Sequence, residues 1–301
     1  MTPGTPGNHD NALAPRLVTW SLLVLGGALL MLPFFILLSN SLKLDQEISN
    51  TGQLIPGVAD NWDLLRHPIQ SLRNIAPQWQ NYPAALDKMG FWPALSNTVV
   101  ITVCCVVGQV LSSSLVGFGF ARYRFRGRDT TFAVMLATMM LPAQVTMIPV
   151  FLIFRQLGWI DTFLPLIVPN LFGAPFFIFM FRQFFQQVPE ELLEAARLDG
   201  ASALAIYWRL MLPLSKPVIA IVAIYTFMFT WNDFMAPLIY LNSPENRTLA
   251  LALNSFNGQY GVQDRNLLMA ASFVTMLPCI LLFFAAQRFF IDTGASSGLK
   301  G

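Results

Sequence analysis

The residues able to do chemistry are few, and they sit in unusual places. Asp233 lies in the tetrapeptide WNDF, inside a stretch from Pro217 to Tyr240 that carries no other charge. An ionisable group at membrane depth is costly and marks a solute path, an ion site or a proton relay. Its neighbours Trp231 and Asn232 join Gln144 in MLPAQVTMIP, Asn170 in VPNLFGAP and Gln109 as polar or amphipathic groups within apolar runs. Planar amides, a carboxylate and an aromatic face suit a sugar-like polar solute. The same groups also serve as hydrogen-bond partners between helices, where each is worth about 0.6 kcal/mol on average. Both readings stand for every one of them.

Enzymatic chemistry is poorly supplied. Covalent or acid-base catalysis needs a nucleophile and a base that converge, and Asp233 stands alone in its stretch. The histidines His9 and His67 lie far apart in polar segments. Cys104, Cys105 and Cys279 all fall in apolar runs, with neither a disulfide framework nor zinc-ligand spacing. No HExxH is present, which argues against a metalloenzyme. No G-x-x-x-x-G-K-[ST] occurs either. The C-terminal GASSGLKG has the wrong spacing and no Ser or Thr after its lysine, so it does not read as a phosphate loop.

These residues must be positioned by a chain whose solvent is mostly lipid. Of 301 residues 55% are hydrophobic and 11% charged, with a mean hydropathy of +0.55; soluble proteins carry about 25% charged residues. The net charge of +2 is too weak to suggest nucleic acid as a partner. A helix rises about 1.5 Å per residue, so about 20 residues cross a hydrocarbon core of roughly 30 Å. Uncharged runs of that order occupy 17–38, 89–121, 130–154, 162–181 and 266–287, and 217–240 is interrupted only by Asp233. The run at 17–38 is too long for a signal-peptide core and reads as a retained span. Strict alternation, which a membrane barrel requires, is absent. The expected fold is all-α: a polytopic integral membrane protein with six transmembrane helices. Prolines 142, 149, 165, 169 and 175 fall in the third and fourth runs, where they permit kinks.

With six spans both termini share a side. Eleven of the 18 Lys and Arg fall on that side and seven on the other. The short loop ARYRFRGRD, with Arg122, Arg124, Arg126 and Arg128, decides the matter. Both termini are expected to be cytoplasmic. The same loop is also placed to meet anionic lipid head groups.

One charged segment on that side asks for an explanation: EAARLDGASALAIYWRLMLPLSKP, from Glu194 to Pro217. Pro189 fits a first helical position. Glu190, Glu191 and Glu194 sit near the helix N-terminus, whose dipole favours negative charge. Leu192, Leu193, Ala195 and Ala196 form an apolar side, and Gly200 suits the left-handed residue past the helix end. Ser202 can cap a second helix to about Leu210, which Leu212-Pro213 should stop. The spacing predicts a helix-turn-helix, either an amphipathic connector or a docking element. Long connections with structure of their own are usually functional.

The segment resembles the EAA motif of permease subunits in bacterial binding-protein-dependent ABC importers. The matching residues are Glu194-Ala195-Ala196, then Asp199-Gly200, then Leu210-Met211-Leu212-Pro213, with Leu210 in place of the usual Ile. NYPAAL (81–86), NTVVITV (97–103), GFGFARYRFRGRD (117–129), WNDF (231–234) and the tail QRFFIDTGASSGLKG resemble carbohydrate-uptake permeases of the maltose type, the second and shorter of each pair. The resemblance implies a bacterial inner-membrane protein with a cytoplasmic tail (1–16), a six-helix permease domain (17–291) and a second cytoplasmic tail (292–301). The outer loop would cover about 40–92, and the coupling loop, with its coupling helix, about 186–216. It implies no cofactor in this chain. ATP and Mg would be held by two partner ATPase subunits, onto which the coupling helix docks. It further implies a second permease, an extracytoplasmic solute-binding protein, a polar solute such as a sugar, and alternating access. By analogy the loop 242–266 reaches toward the binding protein, against the plainer alternative of a solvated hairpin. The competing expectation is a carrier driven by an ion gradient, with Asp233 as its ion site. Against it stand the structured charged loop and the lack of paired interrupted helices.

Overall fold

The structure, a computed structural model, describes residues 13–49, 55–58, 66–67, 75–256 and 264–297, with residues 13–17, 49 and 288–297 as backbone only. Among the described residues every regular element is helical. Four helical stretches are long and apolar enough to cross a membrane: Val18–Ser41, Phe91–Arg122, Leu164–Gln187 and Arg265–Gln287. Two bent pairs, Arg128–Met140 with Ala143–Gln156 and Ala203–Leu214 with Lys216–Trp231, bring the number to six if each pair is one crossing. The protein is a polytopic, all-helical membrane protein.

The elements used below are α1 (Leu13–Ser41), α2 (Asp45–Ser49), α3 (Asn81–Lys88), α4 (Phe91–Arg122), α5 (Arg128–Ala137), α6 (Ala143–Gln156), α7 (Leu164–Ile167), α8 (Pro175–Gln187), α9 (Glu190–Leu198), α10 (Ala203–Ile206), α11 (Leu212–Leu214), α12 (Lys216–Trp231), α13 (Met235–Tyr240), α14 (Leu249–Leu253) and α15 (Arg265–Ser297). The chain divides into two compact units. One comprises residues 1–85 and 256–274, the other 86–255 and 275–301.

In the first unit α1 is apolar on all sides. Every residue from Val18 to Ile36 except Gly26 is exposed, so its surroundings are lipid or another subunit. Its C-terminal end is tied down by α3. Asn81 donates to the carbonyls of Ser41 (2.9 Å) and Lys43 (2.8 Å), accepts from the Asn266 amide (3.2 Å), and lies beside Tyr82, whose hydroxyl pairs with that of Ser41 (2.8 Å). This gives NYPAAL a physical reason: its amide satisfies carbonyls that the end of α1 leaves open. The expected tail over 1–16 lies outside the described residues up to residue 12, and α1 already begins at Leu13. The expected tail over 292–301 continues α15 to Ser297, beyond which the chain lies outside the described residues.

In the second unit α4 is the axis. Gly117 lets it meet α8 closely, for a Cβ there would stand 2.7 Å from the Cβ of Phe181 and 3.1 Å from the Arg182 nitrogen. Small residues of this kind let helices pack at short range in membranes. Phe118, Phe181, Phe185, Leu193, Ile206, Tyr207, Met211, Val218 and Val222 make one buried cluster. Ile101, Cys105, Leu166, Tyr240, Leu241 and Leu251 make another.

Three expected spans depart from straight helices. The run 130–154 breaks at Leu141-Pro142 with a bend of 100°. Pro142 cannot donate an N–H and pushes the residue before it to extended backbone, and Leu141 has ψ 119°. The run 162–181 is interrupted at Gly173 (φ 80°), after which Pro175 opens α8. The run 217–240 is not one helix. α12 ends at Trp231, Asn232 to Phe234 are non-helical, and α13 follows. Pro237 removes the N–H that would bond the Asp233 carbonyl in a continuous helix, so the break falls there.

Candidate functional site: a coupling element and a polar cavity

The helix-turn-helix forms with two adjustments. Pro189 is the flanking residue rather than the first helical one, with ψ 138°, and Glu190 opens α9. Pro213 does not stop the second helix. The chain passes from α10 through a π turn (Tyr207–Met211) into α11 and ends at Ser215. In the π turn the Leu212 N–H bonds the Tyr207 carbonyl five residues back, just before Pro213. Gly200 is left-handed (φ 80°), as its place after α9 requires. Ser202 accepts from the Ala205 N–H (3.3 Å), the expected cap.

The inward side of this element is anchored. Leu193 is fully buried in the cluster that also holds Phe185, Ile206 and Met211. The Tyr207 hydroxyl pairs with Ser114 Oγ of α4 at 2.7 Å. Arg122, in the last turn of α4, donates from one nitrogen to Glu190 Oε2 (2.7 Å) and from another to the carbonyls of Phe185 and Val188. Those carbonyls lie where α8 ends, and that of Phe185 also accepts from the Val188 N–H (3.3 Å). Glu190 also pairs with Arg197 (3.2 Å) along α9. The sequence offered Arg122 only as one of four loop arginines; its role as an anchor was visible in no spacing.

The outward side is open. Glu194, Ala195, Asp199, Gly200 and Pro213 are exposed, and Ala196, Leu210 and Leu212 are half-buried. A Cβ at Gly200 would meet nothing within 4 Å. Leu198 is 89% exposed, with Leu204 and Trp208 also uncovered. The element therefore has one face that grips α4 and α8 and another that offers apolar groups and a bare glycine.

The second site is a cavity of about 530 Å³ in the same unit. It brings together Gln144, Asn170 and Asp233, three of the six polar or amphipathic residues singled out in the sequence, with Thr98, Thr230, Tyr240 and Thr248. The breaks described above position them. Gln144 stands just past the Pro142 bend, Asn170 is in the 3-10 turn between α7 and α8, and Asp233 is in the break before α13. Asp233 Oδ1 also accepts from the Ala236 N–H (3.2 Å), capping α13. Asn170 donates to the Leu166 carbonyl (2.8 Å).

The remaining three do not line this cavity. Trp231 is buried, donates its ring N–H to the Thr275 carbonyl (3.1 Å) and stacks on Phe227 (centroids 5.1 Å apart). Asn232 turns back to the Met228 carbonyl (2.7 Å). Gln109 is interhelical glue: with its amide oriented to suit its neighbours, it donates to the Asn170 carbonyl (3.0 Å) and accepts from the Ala174 N–H (2.5 Å). Among the described residues no group of three His, Cys, Asp or Glu is arranged for a metal ion.

The chain is similar to known proteins. The family model described as "Binding-protein-dependent transport system inner membrane component" matches residues 113–292. The arabinooligosaccharides transport system permease protein AraQ of Halalkalibacterium halodurans is 36% identical over 211 residues, covering 70% of this chain and 75% of the relative. The sn-glycerol-3-phosphate transport system permease protein UgpE of Salmonella typhimurium is 29% identical over 285 residues, covering 94% and 96%. A solved bacterial ABC transporter involved in import of the acidic polysaccharide alginate has the same fold, with a TM-score of 0.77 at 22% identity over 95% of this chain and 100% of that one. This membership replaces the ion-driven carrier considered from the sequence. It implies an ATPase, a binding protein and a partner permease, and no cofactor within the chain. The chain belongs to the binding-protein-dependent transport system inner membrane component family: it is an inner-membrane permease subunit of an ABC importer, whose ATPase is a separate subunit.

Proposed function

We propose that the chain is the second, shorter permease of an importer for a sugar or related hydroxylated solute, working with a distinct first permease, two ATPase subunits and an extracytoplasmic binding protein. The names of its relatives, which move arabinooligosaccharides and sn-glycerol-3-phosphate, support that solute class. Both termini face the cytoplasm, as the arginines of ARYRFRGRD favour. ATP and Mg are held by the ATPase subunits.

The observation that carries the coupling assignment is the two-faced α9 to α11 element. Its inner face is fixed to α4 and α8, while Leu198, Gly200, Leu204 and Trp208 face outward. Glu194, Ala195, Ala196, Asp199, Gly200, Leu210, Leu212 and Pro213 form the surface and frame that receive the ATPase. Closure of the ATPase pair moves this element, and its anchors pass the motion to α4 and α8. Gln144, Asn170 and Asp233 lie on the solute path, where amides and a carboxylate meet hydroxyl groups. Trp231 and Asn232 support the wall from behind.

Gentle affinity purification of the chain from its native membrane tests this reading. Recovery of a second permease and an ATPase with a phosphate-binding loop is expected. Recovery of a homo-oligomer alone, under conditions that preserve membrane complexes, would overturn it.

A further inference from the structure

Between α6 and α7, outside the spans, Asp161 is the one non-glycine residue of positive φ (63°) among the described residues. Left-handed backbone is disfavoured for residues with a Cβ and is kept where the surroundings demand it. The surroundings here are a second loop some eighty positions away. Asp161 Oδ1 accepts from the backbone N–H of Asn242 (2.9 Å), from that of Ser243 (2.9 Å) and from the Asn246 amide (3.2 Å). Oδ2 accepts from the Ser243 hydroxyl. The Asp161 N–H donates to the Tyr240 carbonyl (2.7 Å), and the Asp161 carbonyl accepts from the Asn246 amide (2.8 Å). Every group that meets the carboxylate is a donor. The arrangement is an anion nest and has no place for a cation.

The far edge of the same loop is tied to the start of α4. Asn97 donates to the carbonyls of Glu245 (2.7 Å) and Arg247 (3.0 Å), and the buried Thr98 hydroxyl accepts from the Leu249 N–H (2.8 Å). The loop 241–248 has only a single 3-10 turn of its own, yet it is held from both sides. Two neighbours give the clamp its meaning. Tyr240, Thr98 and Thr248, all tied into this network, line the polar cavity. The clamped residues also form the first part of 242–266, the loop that the resemblance reads as reaching the binding protein.

We propose that Asp161 is a positioning residue that locks 240–249 into one rigid rim, so that the binding protein meets a preformed loop base continuous with the wall of the cavity. This rests on the reading that 242–266 contacts the binding protein. A loop fixed before docking loses less freedom on binding, and its release should weaken association without touching the coupling side.

The test uses the complete complex in lipid nanodiscs and the solute-binding protein recovered with it, with affinity read by interferometry and ATP hydrolysis without binding protein as the integrity control. Asp161→Ala and Asp161→Gly should each weaken association by tenfold or more, and Ser243→Ala by two- to fivefold, with unstimulated hydrolysis unchanged. The glycine variant relieves the positive φ but lacks the carboxylate; wild-type affinity in it would overturn the role of the carboxylate. Equal loss of affinity and unstimulated hydrolysis in all three would make Asp161 a folding residue only and end the proposal. Replacing 257–263 by a Gly/Ser segment of equal length tests the underlying reading separately. Unchanged affinity there sinks the docking of this loop. Weakened affinity there with unchanged Asp161→Ala sinks the positioning role alone.

Discussion

Arg122 and Glu190 stand 2.7 Å apart, and they join the last turn of α4 to the first turn of α9. The two ends of the pair differ: the Arg122 side chain is 9% exposed and that of Glu190 51%. Arg122 also donates to the carbonyls of Phe185 and Val188, so one planar guanidinium spans the two-residue link, Val188-Pro189, between α8 and α9. The link is thus tied to α4 as well as to the two helices it joins.

Removing each partner should have unequal effects. Arg122→Ala removes a charged donor from two carbonyls at the end of α8, and hydrogen bonds to charged groups are worth about 1.5–3 kcal/mol. We expect uptake to fall by tenfold or more while ATP hydrolysis persists, with Arg122→Lys rescuing only part, because a point charge cannot replace a fork on three acceptors. Glu190→Gln removes a half-exposed partner, for which the loss is about 0–1 kcal/mol. The ratio of solute moved to ATP hydrolysed in proteoliposomes checks both. Equal ratios for Arg122→Ala and wild type would refute the strut.

Gly200 separates backbone from interface. Its φ of 80° makes any L residue strained, by about 1–2 kcal/mol. A Cβ there touches nothing in this chain. Gly200→Ala should therefore leave membrane insertion intact and cost only local stability. Gly200→Asp, placed on the face proposed to receive the ATPase, should uncouple hydrolysis from uptake. Membrane abundance by immunoblot, with uptake in whole cells, distinguishes these outcomes from misfolding.

The reason the helix-turn-helix of α9 and α10 was legible in the sequence is local. Gly200, Ser202 and the early glutamates act over three or four residues, and the spacing of such signals survives any tertiary context. The six apolar runs were legible because lipid demands length and composition. The breaks were less so. Pro142 was seen as a kink, but a 100° bend depends on what the two halves pack against. Pro213 looked like a stop, yet a π turn that no local pattern announces leads into the helix that holds it, α11. Trp231 looked like a solute-facing ring in WNDF, yet its direction is set by Thr275, forty-four positions away. Asp161 carried no motif at all, since its partners lie in another loop.

Asp161 also yields a pH expectation. The Ser243 hydroxyl, then the backbone N–H groups of Ser243 and Asn242 and the Asn246 amide, hold its carboxyl well below the ordinary carboxylate range. A depressed carboxylate contributes stability that is present above the unfolded value, about 3.9, and is lost only as pH falls through the lower folded value. The clamp should therefore be indifferent to pH between about 5 and 8. Affinity for the binding protein, measured across that range, should differ between wild type and Asp161→Asn by a constant ratio. A ratio that closes as the pH drops from 8 to 5 would show that the carboxylate titrates in this window, contrary to its hydrogen bonding.

The cavity makes the sharpest contrast between two residues of similar expected role. Gln144 lines it, and among the described residues its side chain has no hydrogen bond to another residue, so its amide is available to a solute hydroxyl. Trp231 is spent on the Thr275 carbonyl and the Phe227 ring. Gln144→Ala should slow uptake at saturating binding protein several-fold, while thermal stability stays within about 0.5 kcal/mol, as for other exposed positions. Trp231→Phe should do the reverse. It loses one buried hydrogen bond, about 1 kcal/mol, and lowers the melting temperature. The uptake rate per folded complex should not move. Measuring both quantities on both variants decides the matter. A Trp231→Phe complex of normal stability with impaired uptake would return the indole to the solute path and displace Gln144 from it.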